Sequence, residues 1–329
     1  MFGSDPEFFI LDSTGKPVPA HHFFPPKEVP FRHEYVIGSE YIQVYRDGYS
    51  VELNIPPRSC RQEFATRVKA ALVHTHAKLP TGYTLTTKPT VKIRRSDLDG
   101  APEDVLFFGC DPSRDAYTGE DKSVELNGLT HPYRYAGGHL HYSGEGTSSW
   151  LQNRADCDLC VKMLDYYLGL PFTFLFNQAD EFQRRKYYGQ AGEYRLQSYP
   201  NGSQGLEYRV LSPRVLNDPY LLSFCNGVLR FVVQNFMKLR EEWNPAIESK
   251  VRRTINTGSG LDSWAPTLAP LYTPELIHQA QGMFDDFNFL RTDPYNAWGE
   301  WVRTHTGRPL AIHNGDKKHY PSITPFFWI

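Results

Sequence analysis

Long apolar runs are absent from these 329 residues: none approaches the roughly 18 consecutive apolar residues a membrane helix needs. The opening residues, Met1-Phe2-Gly3-Ser4-Asp5-Pro6-Glu7, lack the basic and apolar regions of a secretion signal. We therefore expect a cytoplasmic protein with no membrane partner. Charge of one sign is also lacking. The 35 Lys and Arg stand against 37 Asp and Glu, a formal net charge of −2, so no overall field recruits nucleic acid or an anionic membrane. Recognition by charge has to be local. The five cysteines are odd in number and scattered, and only Cys157 and Cys160 are close. No second Cys or His pair follows them at a zinc-ribbon distance, so we read them as helix-packing thiols in a reducing compartment. Repeats, low-complexity tracts and dividing linkers are missing too, which predicts a single domain over 1–329 with a sheet-rich core, 1–212, and a mostly helical part, 213–329.

Aromatic residues are plentiful at 14%, and Gly and Pro number 25 each. That punctuation predicts many short strands and structured loops. Glu7 to Leu11 reads as a strand that turns at Asp12–Lys16 into Pro17-Val18. Tyr41 to Tyr45 and Tyr49 to Asn54 form a second hairpin about Asp47-Gly48. Phe64, Val68, Ala71 and Leu72 recur at helical spacing within 60–79, and Leu151, Cys157, Val161, Leu164 and Leu168 do so within 150–168. Residues 83–95, 138–142 and 206–211 read as strands, and 96–134 as a long irregular loop. Helices are expected over 221–240, 274–290 and 293–305, before an apolar tail at 325–329. Strands with helices packed outside them, not in βαβ alternation, indicate an α+β fold.

Acids recur where strands should carry apolar side chains. Asp5 and Glu7, two apart, share a strand face. Two anions on one face repel unless a cation lies between them, and a divalent metal is the simplest such cation. Asp47 and Glu52 bracket the second hairpin, and Glu207 sits between Leu206 and Tyr208 with Arg209 on its own face. A mid-strand acid is costly unless paired or ligated. His139 and His141 follow two glycines, and a shell of carboxylates with imidazole suits Mg²⁺ or Mn²⁺ better than zinc. The run Arg184 to Arg195 is dense in Arg and Tyr, a composition suited to clamping phosphate and stacking on a purine. A single-stranded nucleic-acid groove would look similar, but the chain has no wider basic stripe.

Six motifs in order, G-S-D-P-E-F (3–8), D-G-Y-S-V-E-L-N (47–54), F-G-C-D-P (108–112), A-G-G-H-L-H (136–141), R-R-K-Y-Y-G-Q-A-G-E-Y-R (184–195) and L-E-Y-R-V-L-S (206–212), closely resemble the phage-type carboxylate-amine ligases, or type 2 amidoligases, of the glutamine synthetase and glutamate-cysteine ligase superfamily. The resemblance implies a curved antiparallel sheet of glutamine synthetase-like catalytic type, helices on its outer face, and a site for ATP and Mg²⁺, with Mn²⁺ as a substitute. It implies Glu7, Asp47 and Glu52 as ligands of one metal and Asp5, His139 and Glu207 as ligands of another. Arg209 would meet the γ-phosphate, with Arg184, Arg185, Arg195 and Tyr188 as further nucleotide contacts. Glu7, Glu52, Glu207 and Arg209 would carry catalysis. Asp5 departs from the superfamily's usual glutamate and is one methylene shorter.

The chemistry so implied is ADP-forming ligation of a small-molecule or peptide carboxylate to an amine through an acyl phosphate, in a phage-encoded protein working in the host cytoplasm. A nucleobase, nucleic acid or cell-wall peptide as acceptor would share that core. A carbohydrate hydrolase needs only two carboxylates, and leaves the His139 motif, Arg209 and the arginine run unexplained. A non-catalytic virion-associated protein would have no need of the acids. Nothing in the sequence sets the oligomeric state.

Overall fold

The computed structural model describes residues 1–264, without 35–40, 60, 107, 109–111, 124–125, 145–149, 199–203 and 218. The helices expected over 274–305, the aromatic tail, Cys60, Cys110 and most of the F-G-C-D-P motif lie outside the described residues.

Fourteen strands are described. In chain order they are β1 (Phe2–Ser4), β2 (Glu7–Leu11), β3 (Pro17–Val18), β4 (Phe31–Glu34), β5 (Tyr41–Asp47), β6 (Ser50–Arg58), β7 (Thr84–Thr86), β8 (Thr90–Lys92), β9 (Ser113–Asp115), β10 (Glu120–Lys122), β11 (Tyr133–Tyr135), β12 (Leu140–Tyr142), β13 (Glu193–Ser198) and β14 (Gln204–Tyr208). Twelve of them make one antiparallel sheet, ordered β10-β9-β13-β14-β12-β1-β6-β2-β3, with β5 and then β4 branching from β6 and β7 from β2. β8 and β11 form a separate ribbon. Both expected hairpins are present: Ile10 faces Val18, and the β5–β6 turn closes at Asp47 and Ser50 through Gly48 at φ +54°. Such a left-handed residue costs glycine least.

Because side chains alternate across a strand, each central strand divides into an apolar and a polar row. Phe8, Ile10, Ile42, Val44, Val51, Leu53, Leu140, Tyr142, Leu206 and Tyr208 all enter one core. That core is closed by α1 (Arg61–Ala77), α3 (Arg154–Leu164) and α6 (Pro219–Gln234) through Phe64, Val68, Leu72, Cys157, Val161, Leu164, Val228 and Leu229. Burying such side chains stabilises by roughly 1.5–3 kcal/mol each. Cys157 and Cys160 are buried free thiols of α3, as their spacing suggested. The opposite row, Glu7, Glu52, His141 and Glu207 among others, forms the second face. Chemistry and packing thus occupy opposite sides of one sheet.

One expectation is corrected. Residues 96–134 are not a structureless loop, since they contain α2 (Glu103–Leu106), the start of β11 and the strands β9 and β10, which extend the main sheet beyond β13. Three-residue strands such as Ser113-Arg114-Asp115 are too short and polar to show a periodicity. Arg114 explains the docking: its guanidinium grips Asp158 of α3 through two 2.9 Å hydrogen bonds.

Behind the sheet, α3 runs through a π turn at Asp165–Gly169 into α4 (Leu170–Leu175). Asp165 is fully buried and accepts a 2.7 Å hydrogen bond from the Tyr208 hydroxyl. Gly169 lets that tyrosine approach, because a Cβ there would lie 2.5 Å from its oxygen. Burial raises the Asp165 carboxyl to about 7 against the Tyr208 and Tyr117 hydroxyls. A raised carboxyl contributes stability below its unfolded pKa and loses it as pH climbs through the folded value. Between about pH 4 and 7 the wild type should therefore lose up to roughly 4 kcal/mol relative to Asp165→Asn, which has nothing to ionise. Urea denaturation of both proteins at pH 5 and pH 8 measures the difference, and parallel pH dependence would contradict it.

Candidate metal and phosphate site

On the polar face, Glu7 of β2 stands opposite Glu52 of β6, and Glu52 stands opposite Tyr45 of β5, whose hydroxyl donates to it. Asp47, closing β5, completes the group: one oxygen from each of Glu7, Asp47 and Glu52 lies within 4.8 Å of the others. Carboxylates this close and this dry resist ionisation. Burial, then Asp47, raises Glu7 to about 7, against the Tyr188 hydroxyl, Arg209 and the Gly137 N–H. Burial and the neighbouring Asp47, Asp5 and Glu7 push Glu52 well above the carboxylate range. Desolvation raises Asp47 as well, against Lys27, Arg209 and Arg195.

Asp5, His141 and Glu207 form a second group with the same spacing. His141 of β12 is directly opposite Glu207 of β14, and its Nε2 lies 2.8 Å from Asp5 Oδ1. His139 points to the same pair, with Nδ1 3.3 Å from Asp5 and 3.4 Å from Glu207. Here the electrostatics are reversed. Burial would raise Asp5, but His141 and His139 hold its carboxyl well below the usual range. Burial and Asp5 would raise Glu207 too, yet Arg209 and the two histidines bring it down. Burial, then Arg209, lowers His139 to about 4 despite the two acids.

Arg209 joins the two groups. It binds Glu207 Oε1 through Nη1, donates from Nη2 to the Tyr188 hydroxyl at 3.2 Å, and lies 5.5 Å from that ring's centroid. Arg195 is opposite Glu207 across β13 and β14, and Gln197, two residues on, donates to Glu207 Oε2. The expected acids, His139, Arg195 and Arg209 are thus brought to one place.

Arg184, Arg185 and Tyr188, expected as nucleotide contacts, are placed within the protein instead. Arg184 is fully buried, and its guanidinium donates to the carbonyls of Ala136, Arg209, Val210 and Leu211 at 2.7–3.2 Å. Four of its five N–H donors are taken by the backbone, which leaves no free fork to clamp a phosphate. Gly189, at φ +65°, makes room for it, since a Cβ there would sit 2.1 Å from Arg184 Nη1. Arg185 turns into the helical layer, where it donates to Thr173 Oγ1 and the Ile255 carbonyl. Tyr188 is no stacking platform: its buried ring lies between Arg184 and Arg209, 4.9 and 5.5 Å from their guanidinium carbons. Three contributors escaped the sequence reading. Gln197 could have been found, because it shares the strand face of Arg195. The Gly137 N–H, which donates to Glu7 Oε2 at 2.7 Å, left only the glycine pair as a sign. Lys27, exposed 5.6 Å over the Tyr45 ring, sits in an aperiodic segment and left none.

Replacing Arg184 by lysine should leave several buried carbonyls unsatisfied, at a cost of at least about 3 kcal/mol. Urea denaturation without any nucleotide reads this. An unchanged midpoint would return Arg184 to the list of ligand-binding groups.

Residues 117–253 match the family model described as "Phage phiEco32-like COOH.NH2 ligase-type 2". The matched stretch holds His139, Tyr188, Arg195, Glu207 and Arg209. No curated protein matches the chain. Among solved structures it is similar to the "Crystal structure of a bifunctional glutathione synthetase from Pasteurella multocida", at 15% sequence identity and a TM-score of 0.48, covering 99% of this chain and 51% of that one. The chain thus spans about half that protein's length. Residues 117–253 are thus similar to the phage-type COOH.NH2 ligase family, type 2, the family that the motifs of the sequence also resemble.

Proposed function

We propose that this chain is an ATP- and Mg²⁺-dependent ligase that joins a carboxylate to an amine through an acyl phosphate, releasing ADP. The observation that carries this reading is the pair of three-residue donor groups on one sheet face with Arg209 between them. The donor chemistry fits hard divalent ions: the first group is all carboxylate, and the second mixes carboxylate with imidazole. Glu7, Asp47 and Glu52 would hold one ion, and Asp5, Glu207 and His139 another, with His141 hydrogen-bonded to Asp5. Mn²⁺ would substitute for Mg²⁺. Bound there, the ions would supply positive charge against the charge that spreads over a transferred phosphoryl group.

The side chains have separate tasks. Arg209 and Arg195 would orient the phosphates, and Glu7, Glu52 and Glu207 would keep the reacting groups in line. A substrate carboxylate oxygen attacks the γ-phosphorus and ADP leaves. The amine nitrogen then attacks the acyl carbon, phosphate departs, and the nitrogen loses its proton. The substrates would be small molecules or peptides, and a nucleobase, nucleic acid or cell-wall peptide as acceptor would use the same core. We read the sheet as the glutamine synthetase-like catalytic type, in a phage-encoded protein of the host cytoplasm.

Incubation with ATP, Mg²⁺ and pooled amino acids, amines and peptides should accumulate ADP, together with a product equal in mass to two substrates less water. Glu7→Ala and Glu207→Ala should lower ADP release on the order of a thousandfold, as loss of a group stabilising transition-state charge does. Undiminished release in either variant would sink the assignment, and glycoside cleavage without nucleotide would favour a hydrolase.

A further inference from the structure

The Tyr188 hydroxyl lies where the two donor groups meet. It is 2.8 Å from Glu7 Oε1 in the first, 2.8 Å from His139 Nε2 beside the second, and 3.2 Å from Arg209 Nη2. A phenol has one proton to give and two lone pairs to accept with. An arginine can only donate, and an ionised carboxylate can only accept. With Arg209 donating and Glu7 receiving the phenolic proton, one position is left, and it takes a donor. His139 therefore presents Nε2–H, and its Nδ1 is a lone pair.

That lone pair faces Asp5 and Glu207, 3.3 and 3.4 Å away. An imidazole lone pair aimed at two carboxylates is repulsive unless a cation sits among them. A ligating histidine shows the same arrangement in general: one nitrogen on the metal, the other donating to a group that fixes the ring. We propose that Tyr188 is a positioning residue that locks His139 in the Nε2–H tautomer and so aims Nδ1 into the Asp5–Glu207 group, while its own proton fixes Glu7 of the neighbouring group. The proposal rests on the reading of His139 as a metal ligand. It assigns Tyr188 no contact with nucleotide or substrate.

Two measurements on the metal-free protein test it, both above the raised Glu7 value of about 7 so that Glu7 is ionised. Nitrogen-15 spectra of the imidazoles, with the His139 signal identified by its loss in His139→Gln, should show Nε2 protonated in the wild type and Nδ1 protonated in Tyr188→Phe. Mn²⁺ titration without nucleotide should show one of the two sites weakened roughly 10- to 100-fold in Tyr188→Phe, the usual cost of losing a group that orients a ligand. The other site should be affected less. An Nδ1–H ring in the wild type overturns the proposal, and that spectrum decides even if the variant does not fold. Equal Mn²⁺ binding by wild type and variant overturns the role of Tyr188 alone. A wild type that binds no Mn²⁺ overturns both this role and the metal reading beneath it.

Discussion

Glu7 and Glu52 face each other across two hydrogen-bonded strands, and the repulsion between them governs the arrangement around them. Two buried carboxylates in direct register are among the least favourable cross-strand pairs, and a third, Asp47, joins them. What makes the arrangement tolerable is a ring of donors: the Tyr45 hydroxyl on Glu52, the Gly137 N–H and the Tyr188 hydroxyl on Glu7, and Lys27, Arg195 and Arg209 acting on Asp47. The donors do not fully offset the repulsion, as the raised Glu7 and Glu52 show. A protein that only needed to fold would do better with apolar side chains there. The cost of holding these acids together is the physical reason behind the proposal that cations sit among them.

The glycine-rich run 184–195 supports that face from beneath. Arg184 gathers carbonyls from the chain entering β12 and the chain leaving β14, tying together the segments that carry His139 and Arg209. Gly189 admits its guanidinium, and the Gly189 N–H is received by Glu193. The loop holding Tyr188 against Glu7 and His139 is therefore anchored at both ends. Arg184 and Tyr188 thus spend their polar groups on other parts of the protein.

Much of this was legible from strand alternation. Glu52 between Val51 and Leu53, Glu207 between Leu206 and Tyr208, and the i, i+2 pairs Asp5–Glu7 and Glu207–Arg209 fall on one face by parity, whatever the topology. Parity does not reveal which strands are neighbours, so the division of the acids into two groups came with the family resemblance. The direction of Arg184 and Arg185 was not legible. An arginine that binds phosphate and one that binds backbone carbonyls look alike in a sequence, and those carbonyls lie 25–70 residues away. The edge strands β9 and β10 were missed for the opposite reason, being too short to carry a pattern.

The range of the contacts at the site has a consequence for how the chain reaches this structure. Asp5 meets His141 across 136 residues, and Glu7 meets Tyr188 across 181. Closing loops of that size comes late, after hairpins such as β5–β6 have formed. On a ribosome, Asp5 and Glu7 would wait for β12 to emerge before His139 or His141 could reach them, and for the end of β14 before Arg209 could. Glu7, Asp47 and Glu52 all lie within the first 52 residues, so the mutually repelling acids emerge together and ahead of the counter-charges that later surround them.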